Sequence, residues 1–248
     1  MSGHSKWSTI KRKKAVVDAA RGKIFTRIAK ELTIASRAGG GDETTNPRLR
    51  TAIATAKAAN LPVANIERAV KKGTGDLVGV MIEEIIYEGY GPGGVALMME
   101  VATDNRNRTV SEIRHLLSKH GGNLANAGAV AWMFDNKGVV QVPSEGVDED
   151  ELMLAALEAG AEDMSNEGDY FEIVTAPTDL NAVNEAVLAA GYTVEVAQLQ
   201  QIPNNFTEVS AEDLPAVVKL LELLDDYDDM QKLSASVNFT DEMLEGLE

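Results

Sequence analysis

Between residues 16 and 38, apolar positions recur at helical spacing. Phe25, Ile28, Ala29, Leu32 and Ala35 form one stripe, while Arg21, Lys23, Arg27, Lys30 and Arg37 fall largely off it. Gly39, Gly40 and Gly41 end this predicted helix. Asn46 before Pro47 reads as an N-cap and first-turn pair, and Leu49, Ala52, Ile53 and Ala56 supply the next apolar face. After a turn at Asn60 and Leu61, Pro62 opens a third helix anchored by Ile66 and Val70 and ended by Lys71, Lys72 and Gly73. Three helices with one apolar stripe each predict a small bundle.

The period then shortens to that of strands. Residues 81–88 and 95–102 read as two strands joined by GYGPGG. Thr109 and Glu112 have capping-box spacing for a helix over 110–119, and AVAWMF at 129–134 reads as a returning strand. Strand 138–142, helix 148–159, strands 161–166 and 170–175, helix 179–190 and strand 194–200 then run β-α-β-β-α-β, the ferredoxin-like order. Ser210 and Asp213 cap a further helix through Leu224, and 232–238 closes as a strand. Pairing this last helix and strand with 81–134 makes the ferredoxin-like unit an insertion. The expected fold class is α+β in three domains. These are a basic helical bundle (1–76), a discontinuous α/β domain (77–135 with 204–248) and an inserted ferredoxin-like domain (136–203).

Charge changes this picture more than composition does. The whole chain carries −16, which by itself argues against a polyanion partner. Residues 1–75, however, hold sixteen Lys/Arg against five Asp/Glu, a net of +11, and the remainder carries −27. Such a division points to a polyanion-facing part on a soluble, repelling body. Lys6, Lys11, Arg12, Lys13 and Lys14 surround Trp7 in a segment that reads as an arm ordering on contact, or as a solvated terminus. No element offers a clean recognition helix for base edges, so phosphate contact is the expected mode: steeply salt dependent and weakly sequence specific.

Candidate chemistry is sparse. With no cysteine there are no disulfides, thiolate metal sites or cysteine nucleophiles. The first residues lack an apolar run behind their charges, and no stretch reaches bilayer-spanning length, so the expectation is cytoplasmic with no membrane partner. Glu112 and His115 stand three apart on a predicted helix without a spacing that completes a metal set. Asp225, Asp226, Asp228 and Asp229 lack the glycine and terminal glutamate of a calcium loop and read as a charged helix end. The GYGPGG turn is neither followed by Lys-Ser/Thr nor by a helix and reads as a hairpin rather than a phosphate cradle. No cofactor, small-molecule substrate or catalytic group is expected; a magnesium-dependent hydrolase and a protein-only scaffold are the competing classes. Arg106 and Arg108 stand in a loop of the acidic body, either paired locally to the hairpin or forming a second phosphate contact.

Ten segments of the chain resemble the YebC/PmpR family: GHSKW (3–7), IKRKK (10–14), RGKIF (21–25), NPRLR (46–50), AKAANLP (56–62), RAVKKGTG (68–75), YEGYGPGGVA (87–96), TDNRNRT (103–109), HGGNL (120–124) and AVAWMF (129–134). The likeness is specific over the first 134 residues and looser beyond. Glu43 stands where a proline often follows the aspartate, and Ala64 where an aspartate is common; both lie in connecting turns. The resemblance implies three domains around a cleft and a non-enzymatic regulator of gene expression. Its partner would be DNA or, in a translation role at the ribosome that relieves stalling on proline-rich stretches, ribosomal RNA. Carried onto this chain, Lys6, Lys11, Arg12, Lys13, Lys14, Arg21, Lys23, Lys30, Lys71 and Lys72 become the nucleic-acid face. Tyr87, Tyr90, Arg106 and Arg108 mark a second surface.

Overall fold

The structure is a computed structural model and describes residues 17–79, 81–240 and 243, with side chains described from residue 22. Three helices come first: α1 (Val17–Gly39), α2 (Pro47–Ala58) and α3 (Val63–Thr74). Their stripes meet in one core of Ile28, Leu32 and Ala35 from α1, Leu49, Ala52 and Ala56 from α2, and Leu61, Ile66 and Ala69. Full burial of a leucine such as Leu32 or Leu49 contributes about 2 kcal/mol.

Asn46 does more than cap α2. Its Oδ1 accepts the Leu49 N–H at 3.1 Å, while its Nδ2 donates to the carbonyls of Ala35 and Gly40, each at 2.8 Å. One buried side chain thus satisfies the end of α1 and the start of α2. Gly73 does not end α3, as the sequence suggests. It lies within the helix, where a Cβ would collide with the Thr33 carbonyl of α1, so its absence of a side chain lets the two helices cross closely. Gly75, at φ 87°, takes the left-handed cap position instead.

The chain then builds two four-stranded antiparallel sheets. The first contains β1 (Glu83–Tyr90), β2 (Ala96–Thr103), the short β3 (Asn123–Leu124) and β8 (Met230–Ala235), in the order β3-β1-β2-β8. Two helices, α4 (Arg106–Lys119) and α7 (Leu214–Asp225), cover one face. Leu97, Met99 and Val101 of β2 point into that core with Ile113, Leu117, Leu220 and Leu224. Ala96 and Met98 alternate to the other face and meet Val130 and Phe134, as the two-residue period of a strand requires. The final strand pairs with β2 from Leu97↔Ala235, as the sequence led us to expect.

Two local expectations give way. α4 starts at Arg106, because Asn105 accepts the Arg108 N–H at 3.1 Å and takes the cap position; Thr109 lies inside the helix. Residues 129–133 are not a strand. The buried Glu88 carboxylate accepts the N–H groups of Gly128, Val130 and Ala131 at 2.6, 2.7 and 3.0 Å, which removes those donors from any ladder. The chain makes a single 3-10 turn at Ala131–Met133 and enters a strand only at Phe134. Burial would push Glu88 up, but the backbone donors outweigh it and hold the carboxylate below its ordinary value.

The second sheet, in the order β5-β6-β4-β7, comprises β4 (Phe134–Pro143), β5 (Ala161–Asn166), β6 (Tyr170–Thr175) and β7 (Val196–Pro203). Helices α5 (Glu149–Glu158) and α6 (Leu180–Ala189) follow β4 and β6, giving the expected β-α-β-β-α-β order. Leu152, Ala156, Val183 and Val187 from these helices pack on Val140, Val142, Phe171 and Ile173, so both helices lie on one face. No helix among the described residues is long and apolar enough to cross a membrane.

Candidate nucleic-acid interface

Of the proposed cationic face, Lys6, Lys11, Arg12, Lys13, Lys14 and the side chain of Arg21 lie outside the described residues. The other members fall into two groups. Lys71 and Lys72 are exposed in the last turn of α3. Lys23 and Lys30 are engaged within the chain, together with Arg27, one helical face along α1.

Their partners are carboxylates and carbonyls at the end of α7 and the turn into β8, with one carbonyl of β2. Lys23 Nζ lies 3.2 Å from Asp226 Oδ1. Arg27 pairs with Asp225 Oδ1 at 3.3 Å and also donates to the Asp225 carbonyl. Lys30 Nζ reaches Asp229 Oδ1 at 2.8 Å and the carbonyls of Ala102 and Asp228, each at 3.0 Å. Burial deepens along this row: the side-chain exposure of the cations falls from 44% at Lys23 to 20% at Arg27 and 17% at Lys30. The sequence marks residues 225–229 only as a charged helix end. Acids at 225, 226 and 229 facing cations at 23, 27 and 30 are the one signal of this contact, visible only once the two segments are set side by side.

Asp229 is the centre of the deepest part. Its other oxygen accepts from Arg108 at 2.7 Å and from the Thr109 hydroxyl at 2.9 Å. Burial alone would raise this carboxyl. Donation from Lys30, Arg108 and Thr109 overcomes that and holds it far below the usual carboxylate range. Tyr227 sits beside it and donates to Glu112 at 2.6 Å; burial, with Glu112 next in weight, pushes the phenol above its usual value. Arg108 also pairs with Asp104 at 3.1 Å and donates to the Thr103 hydroxyl at 3.3 Å, so it is tied to the β8 turn, to its own helix start and to the last residue of β2.

These groups line one side of a cavity of about 510 Å³ between the helical bundle and the first sheet. Lys72 and Thr33 face it from the bundle, and Asp104, Arg108 and Glu112 from α4 and the loop before it. Arg106 is exposed nearby. The Tyr87 hydroxyl is buried without a hydrogen-bond partner among the described residues, and burial raises it, partly offset by the Arg106 charge. Tyr90 belongs to a different feature, donating to the Ala129 carbonyl at 3.3 Å beside the turn that Glu88 organises. Tyr87 and Arg106 are thus brought together, and of the four residues of the expected second surface only Arg108 belongs to the cavity wall. Among the described residues, no group of three or more His, Asp or Glu is placed to hold a metal ion.

The family model of the TACO1/YebC protein N-terminal domain matches residues 5–76, and that of the TACO1/YebC second and third domain matches residues 82–237. A probable transcriptional regulatory protein of Desulforapulum autotrophicum is 54% identical over 247 residues, all of both chains. One of the same description from Dictyoglomus turgidum is 50% identical, again over the whole of each. The crystal structure of a conserved hypothetical protein from Aquifex aeolicus is similar with a TM-score of 0.87 at 46% identity, covering 93% of this chain and 96% of that one.

Proposed function

The chain belongs to the TACO1/YebC family, and from that premise we propose that it is a non-enzymatic regulator of gene expression that binds nucleic acid in the cytoplasm. Its relatives carry the name of probable transcriptional regulatory proteins, which supports the regulator class. The observation that carries nucleic-acid binding is the charge division: +11 over residues 1–75 against −27 over the rest. An ordinary surface mixes signs, and one this one-sided attracts a polyanion while the body repels it. We read the three largest apolar cores as three domains with bounds 1–76, 77–135 with 204–248, and 136–203. In this reading the first domain grips phosphate through the arm cations and through Lys71 and Lys72, and the cavity residues meet the same partner second. Phosphate contact without base readout makes affinity strongly dependent on salt and nearly independent of sequence.

The test is binding of the full chain to a random-sequence DNA duplex and to purified ribosomes across a salt series. The variant Lys11→Glu, Lys13→Glu, Lys14→Glu, Lys71→Glu, Lys72→Glu is run beside the wild type. The expected result is uniform weakening, with the salt slope reduced by roughly one for each lost phosphate contact. Retention of full affinity by this variant refutes the basic-face reading. A preference for ribosomes that survives excess competitor DNA identifies ribosomal RNA as the partner; a preference for one duplex identifies DNA.

A further inference from the structure

Resting on the reading that residues 1–75 bind nucleic acid, we infer that the structure is a closed form. In it, residues 225–229 occupy the phosphate-binding face of α1 and must be displaced before Lys23, Arg27 and Lys30 can reach a nucleic-acid backbone. The partner class is a phosphate backbone, and the acidic turn is its internal competitor.

Three observations carry this. First, the acceptors at α1 are of the kind a phosphate would supply: carboxylate oxygens 2.8–3.3 Å from ammonium and guanidinium nitrogens. Second, among the described residues the bundle and the first sheet do not share an apolar core. The cluster that fills the bundle draws only on residues 25–70, and the cluster under the first sheet only on residues from 85 onward. Beyond the α1 row, the two parts are joined by Arg48 between Glu31 and Glu84 and by Arg37 to the Ile82 carbonyl, which are polar ties again. An interface made of ion pairs beside exposed linker residues 75–79 opens at far lower cost than one made of buried leucines. Third, the row is graded. Lys23–Asp226 sits at the rim with side-chain exposures of 44% and 70%, whereas Lys30–Asp229 is buried at 17% and 8%. A polyanion can therefore exchange with the rim first and move inward, with Asp229, also held by Arg108 and Thr109, the last carboxylate to let go.

Closure restricts access of a polyanion to α1. Only the open fraction binds α1's ligand, and the apparent dissociation constant rises by the inverse of that fraction.

The experiment uses the variant Asp225→Asn, Asp226→Asn, called the rim variant below, which removes the outer and middle carboxylates of the row and spares Asp229. In a chain without native cysteine, Thr55→Cys on α2 and Lys219→Cys on α7 carry a fluorescent donor and acceptor that report bundle-to-sheet distance. The probes are a 20-base-pair random DNA duplex and an RNA hairpin of equal charge. Opening predicts that either probe moves the labels apart in the wild type, and that without probe the labels of the rim variant already lie further apart than those of the wild type. The variant should bind about tenfold more tightly at low salt. Its affinity should also fall more steeply with salt, because the wild type must leave its own carboxylates and cations to recruit counterions as it opens. Equal affinity of wild type and rim variant, or a label distance unmoved by a bound probe, overturns the inference. If neither probe binds either protein, the nucleic-acid reading fails instead, and the clasp is then judged by salt alone: labels that separate with rising salt support it, and labels that stay put overturn it.

Discussion

Lys30 Nζ lies 2.8 Å from Asp229 Oδ1, joining positions 199 residues apart, and the same carboxylate's second oxygen is held by Arg108 and Thr109. Asp229→Asn leaves Lys30 poorly compensated in a half-buried site, so it is expected to destabilise the protein by about 2–3 kcal/mol. Equilibrium unfolding in urea checks this, since urea leaves ionic interactions unscreened. Lys23→Gln, at the exposed end of the same row, is expected to leave the urea midpoint within error of the wild type.

The same carboxylate sets an acid limit. Its value in the folded chain is depressed below that in the unfolded chain, so the stabilisation is fully present above the ordinary carboxylate value of about 4 and is lost as pH falls below it. Urea midpoints between about pH 2.5 and 6 should therefore decline on the acid side in the wild type, and decline less steeply in Asp229→Asn. Parallel curves for the two proteins would rule out Asp229 as the source.

Glu88 organises a turn forty residues away. Glu88→Ala strips the acceptor from the N–H groups of Gly128, Val130 and Ala131, with an expected loss of about 2 kcal/mol. Hydrogen exchange should quicken at those three amides and at the neighbouring turn, while the amides of α1 keep their wild-type protection. Glu88→Gln retains one acceptor oxygen and should fall between the two.

Two glycines of the bundle predict opposite signs. Gly22 lies exposed in α1, with nothing within 4 Å of where a Cβ would stand, so Gly22→Ala should stabilise by about 0.5–1 kcal/mol. Gly73→Ala would drive a methyl into the Thr33 carbonyl and the Ser36 Cβ of α1, separating the helices at a cost of about 2 kcal/mol. Thermal melts of the two variants, read against the wild type, decide both.

How much of this was legible in the sequence depends on how far apart the causes lie. The bundle helices could be read because each stripe is a local pattern, and Asn46–Pro47 announces α2 within two residues. The β-α-β-β-α-β stretch is equally plain, since its period switches between two and 3.6 at each strand–helix boundary. The strand expected at 129–134 failed because its donors are taken by Glu88, which no window around Trp132 contains. Thr109 failed as a cap because Asn105 offers a side-chain acceptor one turn earlier, while the Thr109 hydroxyl is drawn to Asp229. Lys23 and Lys30 read correctly as cations off the apolar stripe. What they face is set by a segment about 200 residues downstream, and charge patterning along one helix carries no record of it.

That separation along the chain orders events during synthesis. Protein is made from the N-terminus, so α1 leaves the ribosome well before residues 225–229 exist, and the first sheet lacks β8 until residues 230–235 are made. For most of translation a nascent molecule therefore displays Lys23, Arg27 and Lys30 with no carboxylate to cover them, beside a machine built largely of RNA. Closure of α1 therefore waits on a segment made about 200 residues later.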